Sequence, residues 1–209
     1  MSIETQAPTK KAQQSIRTRA RLLKVARKAF ANSGYAGASL EDIARTAGFT
    51  TGAVYHQYRD KKALFRAVLE DLEDERYEEV RSISRERAGP GGRQSLERLV
   101  AAAEAALDTF TDPAVRQIIM IDGPAVLGID DWNEIRSRRL HGHMVEILEN
   151  QMAQGVIARE PPGILAHLLI GALTSAGMII AHAESKGAAR RLVGDAAKRL
   201  ILRLRTTPA

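Results

Sequence analysis

The sequence predicts an all-α protein, with a three-helix front module followed by a larger helical body. Three observations predict it. Apolar residues recur three and four positions apart along nearly every segment, and no stretch holds the period of two that a strand needs. Glycine and proline punctuate the chain between those segments, at Gly34, Gly48, "AGPGGR" (88–93), Asp112-Pro113, "DGP" (122–124) and "REPPG" (159–163). The 44% hydrophobic content supports a core, and with only 4% aromatic residues that core must be filled by aliphatic side chains.

Taken in order, the first 13 residues are polar, carry Lys10 and Lys11, and lack the apolar centre of a signal peptide. They read as a disordered basic arm. A helix is expected over about 16–31, with Ile16, Leu22, Leu23, Ala26, Ala29 and Phe30 on one stripe and Gly34 as a left-handed stop. Ser39 caps a short helix, with Asp42 three positions on in the manner of a capping box. Gly48 is the turn that closes it. Thr50 caps the next helix, expected over 51–58, and Asp60 a long charged helix to about residue 87. Beyond the 88–93 linker the periodicity predicts helices near 95–111, 113–121, 131–154, 162–184 and 188–204. Three domains follow: the arm over 1–13, a module over 14–64 and a body over 65–209.

The chain contains no cysteine, which excludes disulfides and thiolate metal sites and fits a reducing, cytoplasmic setting. The apolar run over 163–181 is about long enough to span a bilayer. It carries His167, Thr174 and Ser175 without an aromatic belt, so it reads as a helix buried on most sides, with no membrane partner. The net charge of +6 is unevenly placed. Residues 1–66 hold 13 Lys+Arg against 4 Asp+Glu, the rest 18 against 21. A basic front on a mildly acidic body suits a polyanion-binding module joined to a second function.

The spacing from Leu40 onward sharpens this. A helix-turn-helix needs a small residue where its helices cross, a glycine at the turn and a branched apolar residue inside the second helix. Ala44, Gly48 and Val54 supply them, with Ile43, Ala47 and Phe49 completing the seam. At about 100° per residue, setting Val54 inward turns Gly52 and His56 to the opposite side, flanked by Tyr55 and Ala53. A glycine there costs about 1 kcal/mol relative to alanine, but it lets a backbone approach a DNA groove closely. Thr51, Tyr55 and His56 have the chemistry to contact phosphates or base edges. Lys61 opens the following helix against its dipole, a placement that a bound phosphate would satisfy.

The run "TRARLLKVARKAFANSGYAGASLEDIARTAGFTTGAVYHQYRDKKALFRAVLE", residues 18–70, resembles the N-terminal domain of the TetR (tetracycline-repressor-like) transcriptional regulators. The resemblance implies an N-terminal helix-turn-helix DNA-binding domain followed by a helical ligand-binding and dimerisation domain. It implies DNA contacts from Thr50, Thr51, Gly52, Tyr55 and His56, a phosphate contact from Lys61, and further contacts from Thr18 and Ser39. Gln57 stands where histidine is common in the family, and Tyr58 where phenylalanine is usual. The segment over 118–132 also resembles the body of one subgroup. By this resemblance the partners are double-stranded DNA with a palindromic operator, a second copy of the chain and a small-molecule effector.

In the body, the helices near 162–184 and 188–204 carry the dimer expectation. The first is apolar nearly all round and offers Gly171, Ala172, Ser175 and Ala176 for close packing. The second presents Leu192, Val193, Ala196, Leu200 and Leu204. Candidate ligand-pocket residues are Met120, Trp132, Asn133, His167, Thr174 and Met178. His141 and His143 are two apart and point to different sides of a helix. No ligand-spaced metal cluster, glycine-rich phosphate loop or nucleophile–base motif is present. No cofactor and no catalytic residue is expected. A non-specific DNA-coating protein is the alternative that charge alone leaves open, a helical enzyme a more remote one.

Overall fold

The structure, a computed structural model, describes residues 10–88 and 96–206. The described residues form ten α-helices and one π-helical segment. The chain divides into two compact units, Met1–Val68 and Leu69–Ala209, and the division falls within the helix α4 (Lys61–Ala88).

In the first unit, α1 (Lys10–Gly37) is interrupted at Gly34, whose φ of 67° and ψ of 173° are not helical. The break falls where the sequence predicts it, because glycine lacks the Cβ that penalises positive φ. The helix begins earlier than expected, within the predicted arm. The remainder of that arm, residues 1–9, lies outside the described residues, as does most of the 88–93 linker. Ile16 is exposed rather than on the buried stripe. α2 (Leu40–Ala47) is capped by the Ser39 hydroxyl, which accepts from the Asp42 amide at 3.3 Å. The reciprocal half of a capping box is absent from that geometry. The Asp42 carboxylate pairs instead with Arg45, and Ser39 donates to Glu41 at 2.9 Å.

Gly48 closes α2 at φ 75°, and the Phe49 amide reaches back to the Ala44 carbonyl at 2.9 Å. α3 (Thr51–Gln57) follows, capped by Thr50, whose hydroxyl accepts from the Ala53 amide at 3.2 Å. Ala44 and Val54 are fully buried, together with Ile43 and Ala47. The core of the unit is closed by Phe30 against Phe65, edge to face with centroids 5.2 Å apart, and Tyr35 packs on the same Phe65 ring. Burying Val54 stabilises by about 1.5–3 kcal/mol, more than Gly52 costs, so a seven-residue helix survives a glycine in its first turn.

The second unit contains the rest of α4, then α5 (Leu96–Thr109), the π-helical segment (Val115–Asp122), α6 (Gly123–Leu127), α7 (Ile129–Ser137), α8 (Leu140–Ala153), α9 (Pro162–His182) and α10 (Lys186–Leu202). Two expectations are corrected here. The helix predicted over 131–154 is two helices, because the chain turns at Arg138-Arg139 between α7 and α8. "DGP" is not simply a breaker, since Gly123 and Pro124 open α6. The first correction falls at a corner without glycine or proline, and in the second the proline occupies the first turn of a helix, where its missing N–H is tolerated.

The π-helical segment has an identifiable local cause. The Asp112 carboxylate accepts from the Ala114 and Val115 amides at 2.8 and 2.9 Å and starts the segment. In an i→i+5 pattern the Ile119 carbonyl would be partnered by residue 124, a proline with no N–H. The indole Nε1 of Trp132 donates to that carbonyl instead, at 2.7 Å. The only tryptophan is thereby pinned in the core. Gly123 permits it, because a Cβ there would lie 2.8 Å from the indole Cδ1.

One hydrophobic cluster joins α5, α8, α9 and α10 through Leu96, Leu99, Met144, Leu148, Leu169 and Ile201. An isolated antiparallel bridge between Ile157 and Arg205 ties the segment after α10 to the α8–α9 connection. α9 departs from the expectation of burial on most sides. By length and composition it is apolar enough to cross a membrane, yet only 33% of its most apolar window is buried in the single chain. Gly177 and Ala176 face inward, and a Cβ on Gly177 would lie 2.8 Å from Phe110. Gly171, Ala172 and Ser175, expected to serve close packing, lie on the open face.

Candidate nucleic-acid interface

The outward face of α3 is built by its caps and its one buried anchor. With Val54 inside and Tyr58 closing the C-terminal end, Gly52, Ala53, Tyr55, His56 and Gln57 are all exposed. Tyr55 is 50% exposed. Nothing in the fold requires the glycine, because a Cβ at Gly52 would meet only the Thr50 hydroxyl, at 4.0 Å. The backbone there is helical, and the space beside it is open. Thr50 is exposed and Thr51 half-buried at the head of this helix.

Lys61 and Ser39 both act on the Glu41 carboxylate. The Lys61 ammonium donates to the Ala36 carbonyl at 3.4 Å and lies 4.5 Å from the centre of the Tyr35 ring. Its stem is thus held and its charge stays part-exposed. Glu41 lies within reach of both residues. Its carboxyl is held below the usual carboxylate range by its own backbone N–H, by the Ser39 hydroxyl and by the Lys61 charge. At the start of α4 the Asp60 carboxylate accepts from the Ala63 amide at 2.7 Å. That bond, followed by Arg59, holds its pKa down. Tyr35 is pushed up by burial and then by Asp60. Thr18 is half-buried on α1.

The candidate ligand residues in the second unit divide. Met120 and Trp132 are buried and Thr174 and Met178 are half-buried, whereas Asn133 and His167 face outward. Their exposure follows helix phase, with Asn133 beside buried Trp132 and His167 beside buried Ala166. Trp132 and Thr174 are brought together by Arg136, which sequence reasoning missed. Its guanidinium lies 4.8 Å from the Trp132 ring and donates to the Thr174 hydroxyl at 2.9 Å. It also donates to Glu73 at 3.1 Å, and Glu73 accepts from Arg76 at 2.9 Å on its other oxygen. The signal lay in α4, where Leu69, Leu72, Glu73 and Arg76 follow helical spacing, so two charged residues occupy the phase of the core.

A separate apolar groove of about 460 Å³ lies among α5, α8, α9 and α10, lined by Leu99, Met144, Leu169, Ala176, Val193 and Ile201. None of the six candidate ligand residues lines it. Among the described residues, no group of three or more His, Asp or Glu side chains is placed to hold a metal ion.

An all-helical chain with a capped helix-turn-helix in front and a helical body behind is the architecture of a bacterial regulator. Residues 22–68 match the model of bacterial regulatory proteins of the tetR family, and residues 96–204 match the Tetracyclin repressor-like C-terminal domain. The chain belongs to the TetR family. It is 32% identical to a TetR-family transcriptional regulator from Pectobacterium atrosepticum whose crystal structure is known. That likeness covers 97% of this chain and 100% of the other, with a TM-score of 0.81. The transcriptional regulator TtgR of Pseudomonas putida is 40% identical over 57 residues, which span only 27% of either chain. The transcriptional repressor KstR2 of Mycolicibacterium smegmatis is 27% identical over 137 residues, 64% of either chain.

Proposed function

We propose that the chain is a ligand-responsive, sequence-specific DNA-binding transcriptional regulator, a repressor released from a palindromic operator by a small molecule. The observation that carries this reading is the outward face of α3. It combines an open glycine backbone with an exposed tyrosine and histidine, on a helix whose own stability gains nothing from them. Thr51, Tyr55 and His56 reach base edges and phosphates, and Thr18, Ser39, Thr50 and Lys61 hold the module on the flanking backbone.

A second copy joins through α9 and α10. Ile164, Leu168 and Ile179 on α9, and Leu192 and Leu200 on α10, are large apolar side chains left at least half exposed. Pairing them in a four-helix bundle covers an apolar surface that a single chain leaves in water. Two recognition helices then address successive major grooves, about 34–36 Å apart. An effector that binds one arrangement of the body more tightly shifts the population and with it DNA affinity. The long α4, which contains the boundary between the units, is the lever. In this reading the protein works in the cytoplasm without a membrane.

Selection of bound sites from a random DNA pool tests the reading. An enriched palindrome supports it. Salt-sensitive binding without an enriched motif overturns it in favour of a DNA-coating protein.

A further inference from the structure

Two guanidiniums share one carboxylate inside the second unit. Glu73 bonds Arg76 at 2.7 Å on one oxygen and Arg136 at 3.1 Å on the other, and all three side chains are 6–8% exposed. The buried group therefore carries an excess positive charge. Burial pushes Arg136 below the usual arginine range; Glu73 opposes this and Arg76 adds to it. An uncompensated buried charge is strongly unfavourable in a low-dielectric interior. The faces of the guanidiniums are occupied. Phe110 lies 5.2 Å from Arg76 and 6.0 Å from Arg136, and Trp132 lies under Arg136. Only their N–H edges are available to a further partner.

A cavity of about 40 Å³ adjoins those edges, lined by Glu73, Arg76, Tyr77, Ile135, Arg136 and Leu140. It holds two or three water-sized positions, the size of a carboxylate group. The other charges beside it neutralise one another, because Arg139 is bonded to Asp74 at 3.0 Å and lies 3.5 Å from Glu78, which is itself paired with Arg81 at 3.6 Å. The excess charge thus belongs to the Arg76–Arg136 pair.

We propose that Arg76 and Arg136 are the receptor for the carboxylate of a small organic acid, bound in this cavity beside Glu73. The acid's apolar portion lies toward Ile135 and Leu140, and its carboxylate competes with Glu73 for the N–H groups of Arg136. This rests on the ligand-responsive reading above and names the chemistry of the ligand.

Trp132, stacked on Arg136, supplies the readout. Titrating the full chain with formate and acetate, with formamide and acetamide as neutral isosteres, is expected to give a saturable change in tryptophan fluorescence for an acid and none for its amide. Arg76→Met should weaken that binding at least about tenfold, the value of one lost charge-assisted hydrogen bond. Glu73→Gln should strengthen it, because the internal competitor is gone. The absence of a saturable response to either acid up to about 10 mM would overturn the proposal. So would equal responses to acid and amide, or a weaker response in Glu73→Gln with helix content retained. The titration contains no DNA, so its failure is separate from failure of the site selection.

Discussion

Two surfaces of this protein carry residues that its own fold does not use, and they differ in kind. The outward face of α3 is small and polar, with Gly52, Tyr55 and His56 raised on a helix anchored by one buried valine. The outward face of α9 and α10 is long and apolar, with Leu168 63% and Leu192 72% exposed. A polar face can remain in water until a polyanion arrives, so the first surface suits a partner that comes and goes. An apolar face of that length is disfavoured in water at all times. The second surface suits a partner that stays. In the proposed reading, the contrast makes the DNA contact the reversible one and the pairing of copies the standing one.

The largest effect should come from breaking the apolar face. Leu168→Glu with Leu192→Glu is expected to convert a two-chain species into a single chain on sedimentation at micromolar concentration. Operator affinity should fall by about 100-fold or more, because the two half-sites are no longer engaged together. A wild-type protein that already sediments as one chain would remove the contrast. Next comes the polar face. Tyr55→Ala should cost about 1–3 kcal/mol on the selected site and clearly less on random DNA, measured by competition binding. Equal losses would show that Tyr55 holds phosphates without discriminating.

A pair of glycines sharpens the same comparison at about 1 kcal/mol. Gly52→Ala should raise thermal stability by up to about 1 kcal/mol, since the position is open and alanine favours the helix, while weakening DNA binding. Gly177→Ala gains the same propensity but drives a Cβ to 2.8 Å from Phe110, and overpacking of about 1–3 kcal/mol should leave it net destabilised. Thermal unfolding of both variants decides it; stabilisation at both sites would sink the distinction between an open glycine and a packed one.

The smallest effect is a pH dependence outside either surface. His143 is held below the usual histidine range, first by burial and then by Arg98, against the pull of Glu146, with Arg81 and Arg85 adding to the depression. The unfolded chain then takes up a proton more readily than the folded one. Stability is fully present above the unfolded value near pH ~6.5 and declines as pH falls toward the folded value. His143→Gln should flatten that decline between about pH 7 and pH 5. An unchanged slope would assign it to other groups.

Local rules were legible wherever a residue acts on its own neighbours. Ser39, Thr50 and Asp60 cap the helices expected of them, Gly34 and Gly48 turn the chain, and Val54 faces inward with Gly52 outward. The body was less legible, because its turns and its polar core depend on partners distant in the chain. The α7–α8 corner lacks a glycine or proline to announce it. Arg136 has no local signal, because its partner Glu73 lies 63 positions earlier and only the fold brings the two together. Asn133 and His167 have the chemistry of pocket residues, but helix phase turns both outward.

The amino-acid sequence by itself determined the helical class, the caps and turns of the front module, its basic balance and the residues on its outward face. These follow from spacing and from interactions within a few residues. Tertiary structure alone decided that the indole of Trp132 completes the π-helical segment, that Glu73 joins Arg76 to Arg136, and that the apolar α9 stays largely open. Each of these depends on which distant surfaces meet, and the free energy of such meetings is set by shape and burial that no local pattern encodes.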